Sequence, residues 1–414
     1  IEVPTEDFRQ RQAALSQQVS DLESQLGKGD DTQLKARIAH LKNELATHQK
    51  NVARLRVMQD APQRMPTHLL IRGDFRRHGE KVEPGVPACL PELPNARTPR
   101  LALAAWLVNP DNPLPARVTV NRLWAMVFGT GIVKTADDLG TRGELPSHPQ
   151  LLDWLAVEFV ESGWDVKHML KLMATSATYR QSSAVTAELL ARDPENRLLA
   201  RGPRFRLPAE MVRDNALFIA GILNGKLGGP SVKPYQPPGL WQEMAYGDGK
   251  DKQYVQDHGP DLYRRGLYTF WKRSVLYPAF ATFDAPNREE CMVSRPITNT
   301  PLQALVLLND VTFVEAARVL AERIMIEGGE SIAQRLDYAY RRALARPPSE
   351  QERRVLEAVY RDMLVHFQAQ PQAARQLATA GEWPPAEQLN AAQHAAWTSV
   401  AQAILNLDET LTKE

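Results

Sequence analysis

Thirty prolines punctuate this 414-residue chain, and their placement decides what it can fold into. Proline lacks an amide donor and clashes with the preceding turn, so it opens helices and does not sit inside them. Between residues 59 and 100, Pro62, Pro66, Pro84, Pro87, Pro91, Pro94 and Pro99 forbid any long helix. Further on the prolines fall at the heads of apolar-periodic segments. Thr98-Pro99 precedes Leu101, Leu103, Ala104 and Leu107. Pro115 precedes Val118, Val120, Leu123, Trp124 and Val127, with Gly129 and Gly131 behind them. Ser147-His148-Pro149-Gln150 reads as a capping box before Leu151, Leu152, Leu155 and Phe159, and Thr300-Pro301-Leu302-Gln303 reads as another. Asp165 caps a run with Val166, Met169, Leu170 and Met173 inward, and Pro208 opens a helix that Asn224-Gly225 closes.

The N-terminal part has a different rhythm. Phe8, Leu15, Val19, Leu22 and Leu26 step by seven, four, three and four, and Leu34, Ile38, Leu41, Leu45, Val52 and Leu55 step similarly. These are coiled-coil spacings, and Gly27-Lys28-Gly29-Asp30-Asp31 supplies a turn between two arms. The expected fold is mainly α: a multi-helical domain with small β elements, preceded by an antiparallel coiled-coil helical hairpin. The boundaries are 1–60 for the hairpin, 61–97 for a Pro-rich extended strap and 98–414 for the helical domain. Within the strap Thr67–Asp74 reads as one strand. A long Gly/Pro/aromatic loop spans 227–262, Arg264 to Ser274 reads as a strand, and helix pairs follow over 296–325 and 331–368. A Pro-rich linker then leads to a last helix over 395–407.

The net charge of +1 gives no global attraction to nucleic acid or to an anionic membrane. Yet 36 of the 50 basic residues are arginine, whose planar fork matches carboxylates, sulfates and phosphates. No apolar run reaches the length of a membrane span. Cys89 and Cys291 are too few for a disulfide scaffold, and their pairing is open from sequence. The chain contains no Gly-x-Ser-x-Gly elbow, Walker loop, dinucleotide fingerprint or His-Glu-x-x-His zinc helix. That argues against the corresponding esterases, NTPases, Rossmann oxidoreductases and zincins, and no metal site is expected.

The ordered blocks Arg117-Val118, Asn121-Arg122-Leu123-Trp124, Phe128-Gly129-Thr130-Gly131, His148-Pro149 and Leu151–Ala156 form a signature. So do Ser176–Ser182, Asp193-Pro194-Glu195-Asn196, Phe283-Asp284-Ala285-Pro286, Thr300-Pro301 with Gln303–Asn309, and Ala396-Trp397 with Ile404–Leu407. Across about residues 67–410 the chain resembles the C-terminal domain of unknown function of planctomycete-type cytochrome c proteins. The resemblance implies an exported protein, periplasmic or extracellular. It also implies an upstream cytochrome c domain and a second uncharacterised domain as partners in the same precursor. Any haem c would lie on that upstream part, because no Cys-x-x-Cys-His sequence occurs here. Proteins of this kind are often encoded beside sulfatases and polysaccharide-processing functions, an association that assigns no residue a role.

Candidate catalytic groups are His148 at a helix start, the loop carboxylates Asp137 and Asp138, and Glu210 and Asp214, four apart on one helix face. His148 reads either as a capping residue or as a base. Asp137 and Asp138 read either as solvated turn formers or as a site for calcium or sugar hydroxyls. Candidate binding groups are Arg117, Asn121, Arg122, Arg180, Arg204, Arg206, Arg213, Arg273 and Arg295, with Arg264 and Arg265 as further arginines that could converge on them. Tyr235, Trp241 and Tyr246 of the long loop are candidates for stacking on sugar rings. The leading functional expectation is an exported module that binds a carbohydrate or related extracytoplasmic substrate and supports its oxidative processing. The alternatives are a non-catalytic scaffold that docks a protein partner through residues 5–58, and a carboxylate-based polysaccharide hydrolase. Whether the chain is an enzyme is left open by the residues themselves.

Overall fold

The computed structural model describes residues 2–26, 31–58, 65–95, 98–244 and 252–413. The chain separates into two compact units, Ile1–Pro87 and Ala88–Glu414. As the sequence implies, it is mainly helical with two small antiparallel sheets. Among the described residues no helix is long and apolar enough to cross a membrane.

In the first unit, helices α1 (Glu6–Leu26) and α2 (Thr32–Lys50) lie antiparallel. Phe8 stacks on His48 at one end with ring centroids 4.1 Å apart, and Glu23 meets Lys42 at 2.6 Å nearer the other. Leu15, Val19 and Ile38 are buried between them. Asp31 caps α2 by accepting from the amides of Gln33 and Leu34. The expected turn residues 27–30 lie outside the described residues. The second arm is shorter than its spacing suggests, because α2 ends at Lys50 and Leu55 is exposed beyond it. The expected strand over 67–74 is also shorter: β1 (Thr67–Leu70) gives way to a 3-10 turn and returns as β2 (His78–Val82). Strand β2, His-Gly-Glu-Lys-Val, is exposed at four of its five positions, so it has no apolar alternation to reveal it.

The second unit holds two helical cores. Helices α3 (Pro99–Leu107), α4 (Pro113–Phe128), α5 (Pro149–Glu161) and α6 (Val166–Thr175) come first. Asn112 caps α4, so that helix opens at Pro113 and not at Pro115. His148 occupies the cap position of α5 without a side-chain bond to the helix amides, and Ser147 instead donates to the Ile132 carbonyl, so the expected capping box is absent there. Val120, Trp124, Phe128, Leu155, Phe159 and Met169 form the first core. After α7 (Ala187–Arg192) and β3 (Phe205–Arg206) comes α8 (Ala209–Ala220), which stops at left-handed Gly221, short of the expected Asn224.

The segment expected as a strand from Arg264 is no strand. Residues 266–268 form a 3-10 turn, with isolated single bridges from Arg264 to Asn224, from Thr269 to Val232 and from Lys272 to Val275. The cause is Arg264, buried with its guanidinium on the carbonyls of Lys226, Gly228 and Pro230 and over the Tyr268 ring. Those bonds tie the backbone to the preceding loop and leave no straight edge for pairing.

Short helices α9 (Leu240–Met244) and α10 (Pro278–Thr282) precede α11 (Pro301–Asn309) and α12 (Val311–Glu327). Thr300 makes no side-chain cap on α11. Gln303, expected to complete that box, is buried and donates to the Thr282 carbonyl. Then follow α13 (Ile332–Leu344), α14 (Glu350–Ala369), α15 (Pro371–Ala378) inside the expected linker, α16 (Ala391–Leu405), α17 (Asp408–Leu411) and β4 (Thr412–Lys413). Helices α12 and α16 form the centre of the second core. Ala316, Ala317 and Ala321 of α12 and Ala395, Ala396 and Ala401 of α16 are fully buried there, and side chains this small let the backbones approach closely.

Arg346, after α13, binds both Glu352 of α14 and Glu409 of α17. The Arg346 guanidinium holds the Glu352 carboxyl down at about 2, against an ordinary 4.5. A depressed carboxylate stabilises the fold above its unfolded value and loses that contribution as pH falls from about 4.5 toward 2. With solvent screening at this partly exposed pair, the expected contribution is about 1 kcal/mol. Urea denaturation at pH 7 and pH 3 should therefore show a smaller acid-induced loss in Glu352→Gln than in the parent. An identical loss in both would refute the assignment.

Candidate functional site

Helix α4 fixes the first wall of a groove. The Asn121 side chain accepts from the Val133 amide at 2.9 Å and donates to the Val133 carbonyl at 3.0 Å, folding the chain back over the helix. Gly129 ends α4 with φ +83°, and a Cβ on Gly131 would stand 2.8 Å from the Asn121 amide, so this return needs glycine. Arg197 then clasps the turn from outside, donating to the carbonyls of Gly131 at 2.7 Å and Ile132 at 3.0 Å. Asp193 holds the Arg197 loop by accepting its amide and that of Leu198, both at 2.7 Å.

The second wall is β3. It pairs with β4, Phe205 opposite Lys413 and Arg206 opposite Thr412. The Phe205 ring presses on Gly129. Across the small sheet, the Lys413 ammonium lies 3.9 Å over the Tyr179 ring, and burial pushes its pKa down.

Between these walls lie two adjoining hollows of about 150 and 230 Å³ that share Arg204, Phe205 and Ile297. The first is walled by Trp124 and Phe128, the Gly129–Ile132 turn, and Glu195, Asn196 and Arg197. Lys134, 2.7 Å from Glu195, holds that carboxyl below the usual range. The second is lined by Arg206, Thr298, Asn299, Asp408 and Thr412. Asp408 lies 2.5 Å from Arg204 and 3.5 Å from Arg206. The Arg206 side chain is 12% exposed, its guanidinium sits over the Phe283 ring, and its buried Nε has no hydrogen-bond partner among the described residues.

The expected site residues divide between this groove and other places. Arg204 and Arg206 line it, and Asn121 shapes it from below. His148 is one residue from it, with Nδ1 3.0 Å from the oxygen of Ser147, which lines the first hollow. Arg117 pairs with Asp153 at 2.7 Å across α4 and α5, and Arg122 and Arg180 are exposed. Asp137 is exposed, while Asp138 forms a turn by accepting from Gly140 at 2.8 Å.

Arg206 and Glu210 do not share a helix face, because Arg206 belongs to β3 and the helix begins at Ala209. Glu210 is held by a two-pronged contact from Arg295, and Asp214 by Arg265 and the Gly266 amide. Arg213 is buried and donates to the carbonyls of Leu262 and Arg264. In the long loop, Trp241 is buried against Tyr254 and Phe270 with Lys272 above it, Tyr235 accepts from the Glu382 amide, and Arg273 is exposed. Tyr246 lies outside the described residues.

Among the described residues no group of three or more His, Cys, Asp or Glu side chains is placed to hold a metal. Cys89 and Cys291 are exposed free thiols, and without a Cys-x-x-Cys-His sequence these residues do not fit a covalent haem. Sequence reasoning missed Arg197, Phe205, Ile297 and Asp408 as wall residues. The Asp193–Asn196 block pointed to the turn that carries Arg197, whereas nothing local marks Asp408.

A family model described as PSD1, protein of unknown function (DUF1553), matches residues 99–360. Comparisons with curated proteins and with solved structures returned no match.

Proposed function

The chain belongs to the PSD1 family of proteins of unknown function, and from that premise we propose that its second unit is a binding module for a carbohydrate or related polar substrate. In this reading the protein is exported, and an upstream cytochrome c domain of the same precursor carries the redox chemistry that processes the bound material. The observation that supports it is the continuous groove, in which main-chain polar groups, arginines and aromatic rings face one space. Saccharide sites use that mixture, with hydroxyls on polar groups and apolar ring faces on aromatics. Binding is favoured over carboxylate hydrolysis by two features. Glu210 and Asp214 are occupied by Arg295 and Arg265 outside the groove's lining, and Glu195 is held ionised by Lys134, which suits an ion pair and not a proton donor.

The test is a thermal-shift and calorimetric screen of the whole chain against neutral and acidic oligosaccharides. We expect saturable stabilisation by at least one glycan, abolished in Thr130→Trp, which fills the first hollow from an exposed position without entering the core. Absence of stabilisation by every glycan would overturn the reading, as would equal binding by Thr130→Trp.

A further inference from the structure

Arg206 is a largely enclosed cation whose hydrogen-bonding capacity is under-used. A guanidinium carries five donors, and leaving it uncompensated away from water is costly. Here the side chain is almost enclosed, its Nε has no partner among the described residues, and its ion pair with Asp408 is 3.5 Å long. That is well beyond the ~2.7–2.9 Å of a strong charge-assisted contact. Asp408 leans toward Arg204 instead, at 2.5 Å. The two groups also differ in freedom. Asp408 has a side chain 55% exposed on four-residue helix α17, so it can turn into solvent. Arg206 is held over Phe283 on a paired strand and cannot.

We propose that the second hollow is an anion subsite, with Arg206 as its fixed recognition group and Asp408 as a built-in competitor that occupies it when no ligand is bound. The ligand group is an oxyanion, either the carboxylate of an acidic sugar or a sulfate ester, seated on Arg206 and Arg204 with Thr298 and Asn299 on the facing wall. The uncharged remainder of the ligand extends past Phe205 into the first hollow. This rests on the groove being the binding site. It adds which end of the ligand goes where, and why an acidic ligand is preferred. It also makes Asp408 a brake, since an incoming anion must first displace it.

Inorganic sulfate, glucuronate and glucose are the probes, titrated into the whole chain at constant ionic strength. Sulfate and glucuronate should bind and glucose should not. Asp408→Asn, which keeps the shape and removes the charge, should tighten anion binding by about tenfold, the scale of one charge-assisted contact. Arg206→Gln should weaken it by about tenfold or more on the same scale. Arg204→Gln, at the more exposed arginine, should also weaken it while leaving the melting temperature near the parent's, so loss of binding is separated from loss of fold. Anion binding that Asp408→Asn leaves unchanged or weakens would overturn the inference, as would binding that survives both arginine substitutions. If neutral oligosaccharides bind in a way that Thr130→Trp abolishes but anions do not bind, the groove stands and the anion subsite falls. If sulfate or glucuronate binds with the Asp408→Asn gain but no oligosaccharide does, the subsite stands and the carbohydrate reading falls.

Discussion

Arg318→Ala is expected to lower the stability of the second unit by about 3–5 kcal/mol, measured by urea denaturation at neutral pH. Arg318 is fully buried on α12. It donates to Glu322 at 2.5 Å, to the Ala380 carbonyl at 2.9 Å and to the Trp383 carbonyl at 2.6 Å. Glu322 in turn accepts from the Ala386 amide, and Glu315 from the Trp383 amide, so three residues of one helix face hold the 380–386 segment onto the core. Without Arg318 the buried Glu322 loses its cation and must either carry an uncompensated charge or take up a proton. Burial already pushes that carboxyl up, which shows what its ionised form costs in this place. The double substitution Arg318→Met with Glu322→Leu should recover most of the loss, because it removes both charges and not one. A single-mutant cost below about 1 kcal/mol would refute the account. Approach of this segment also needs Gly381, whose φ is +86° and where a Cβ would collide with the Glu315 carboxylate.

The second large effect is Trp397→Ala, expected to cost about 3–5 kcal/mol through the cavity left behind. Trp397 is fully buried at the centre of α16, with its ring 4.5 Å from that of Tyr360. The alanines of α12 and α16 already allow close helix contact, so the surrounding backbone has little room to collapse into the gap. Trp397→Phe should cost clearly less, since it keeps most of the aromatic volume and leaves a smaller gap. Equal losses for the two substitutions would show that the site relaxes freely and that packing there is loose.

Helices with a proline or aspartate at the start were readable, since Thr98-Pro99 and Asp165 act through local geometry. Helix ends were less so. Pro113 with Asn112 pre-empted Pro115, and Gly221 pre-empted Asn224, because each stretch offered two plausible signals. The strand expected from Arg264 failed because its alternation was outweighed by one buried side chain drawing on three carbonyls. The wall residues followed the same division. Asn121 and the Gly129–Gly131 return lie close together and stood out, and the arginines of 204–206 stood out by type. That Arg206 would face Asp408, while Glu210 and Asp214 would be taken by Arg295 and Arg265, depends on contacts between distant segments that no local pattern encodes.

The pairing of β3 with β4 has a bearing on how the molecule comes into being. Arg204 and Asp408 stand 204 residues apart, and between them the chain must complete the second helical core. Closing so long a loop is slow compared with assembling neighbouring helices. During synthesis, α4 to α6 can pack as soon as they emerge, whereas the far wall of the groove waits for Asp408 to Lys413. The second hollow therefore forms only once Asp408–Lys413 have paired with β3. A ribosome-bound or clipped chain lacking those residues would keep the residues that line the first hollow but lose Asp408 and Thr412 from the second, so occupancy of the second hollow would report that this late pairing has formed.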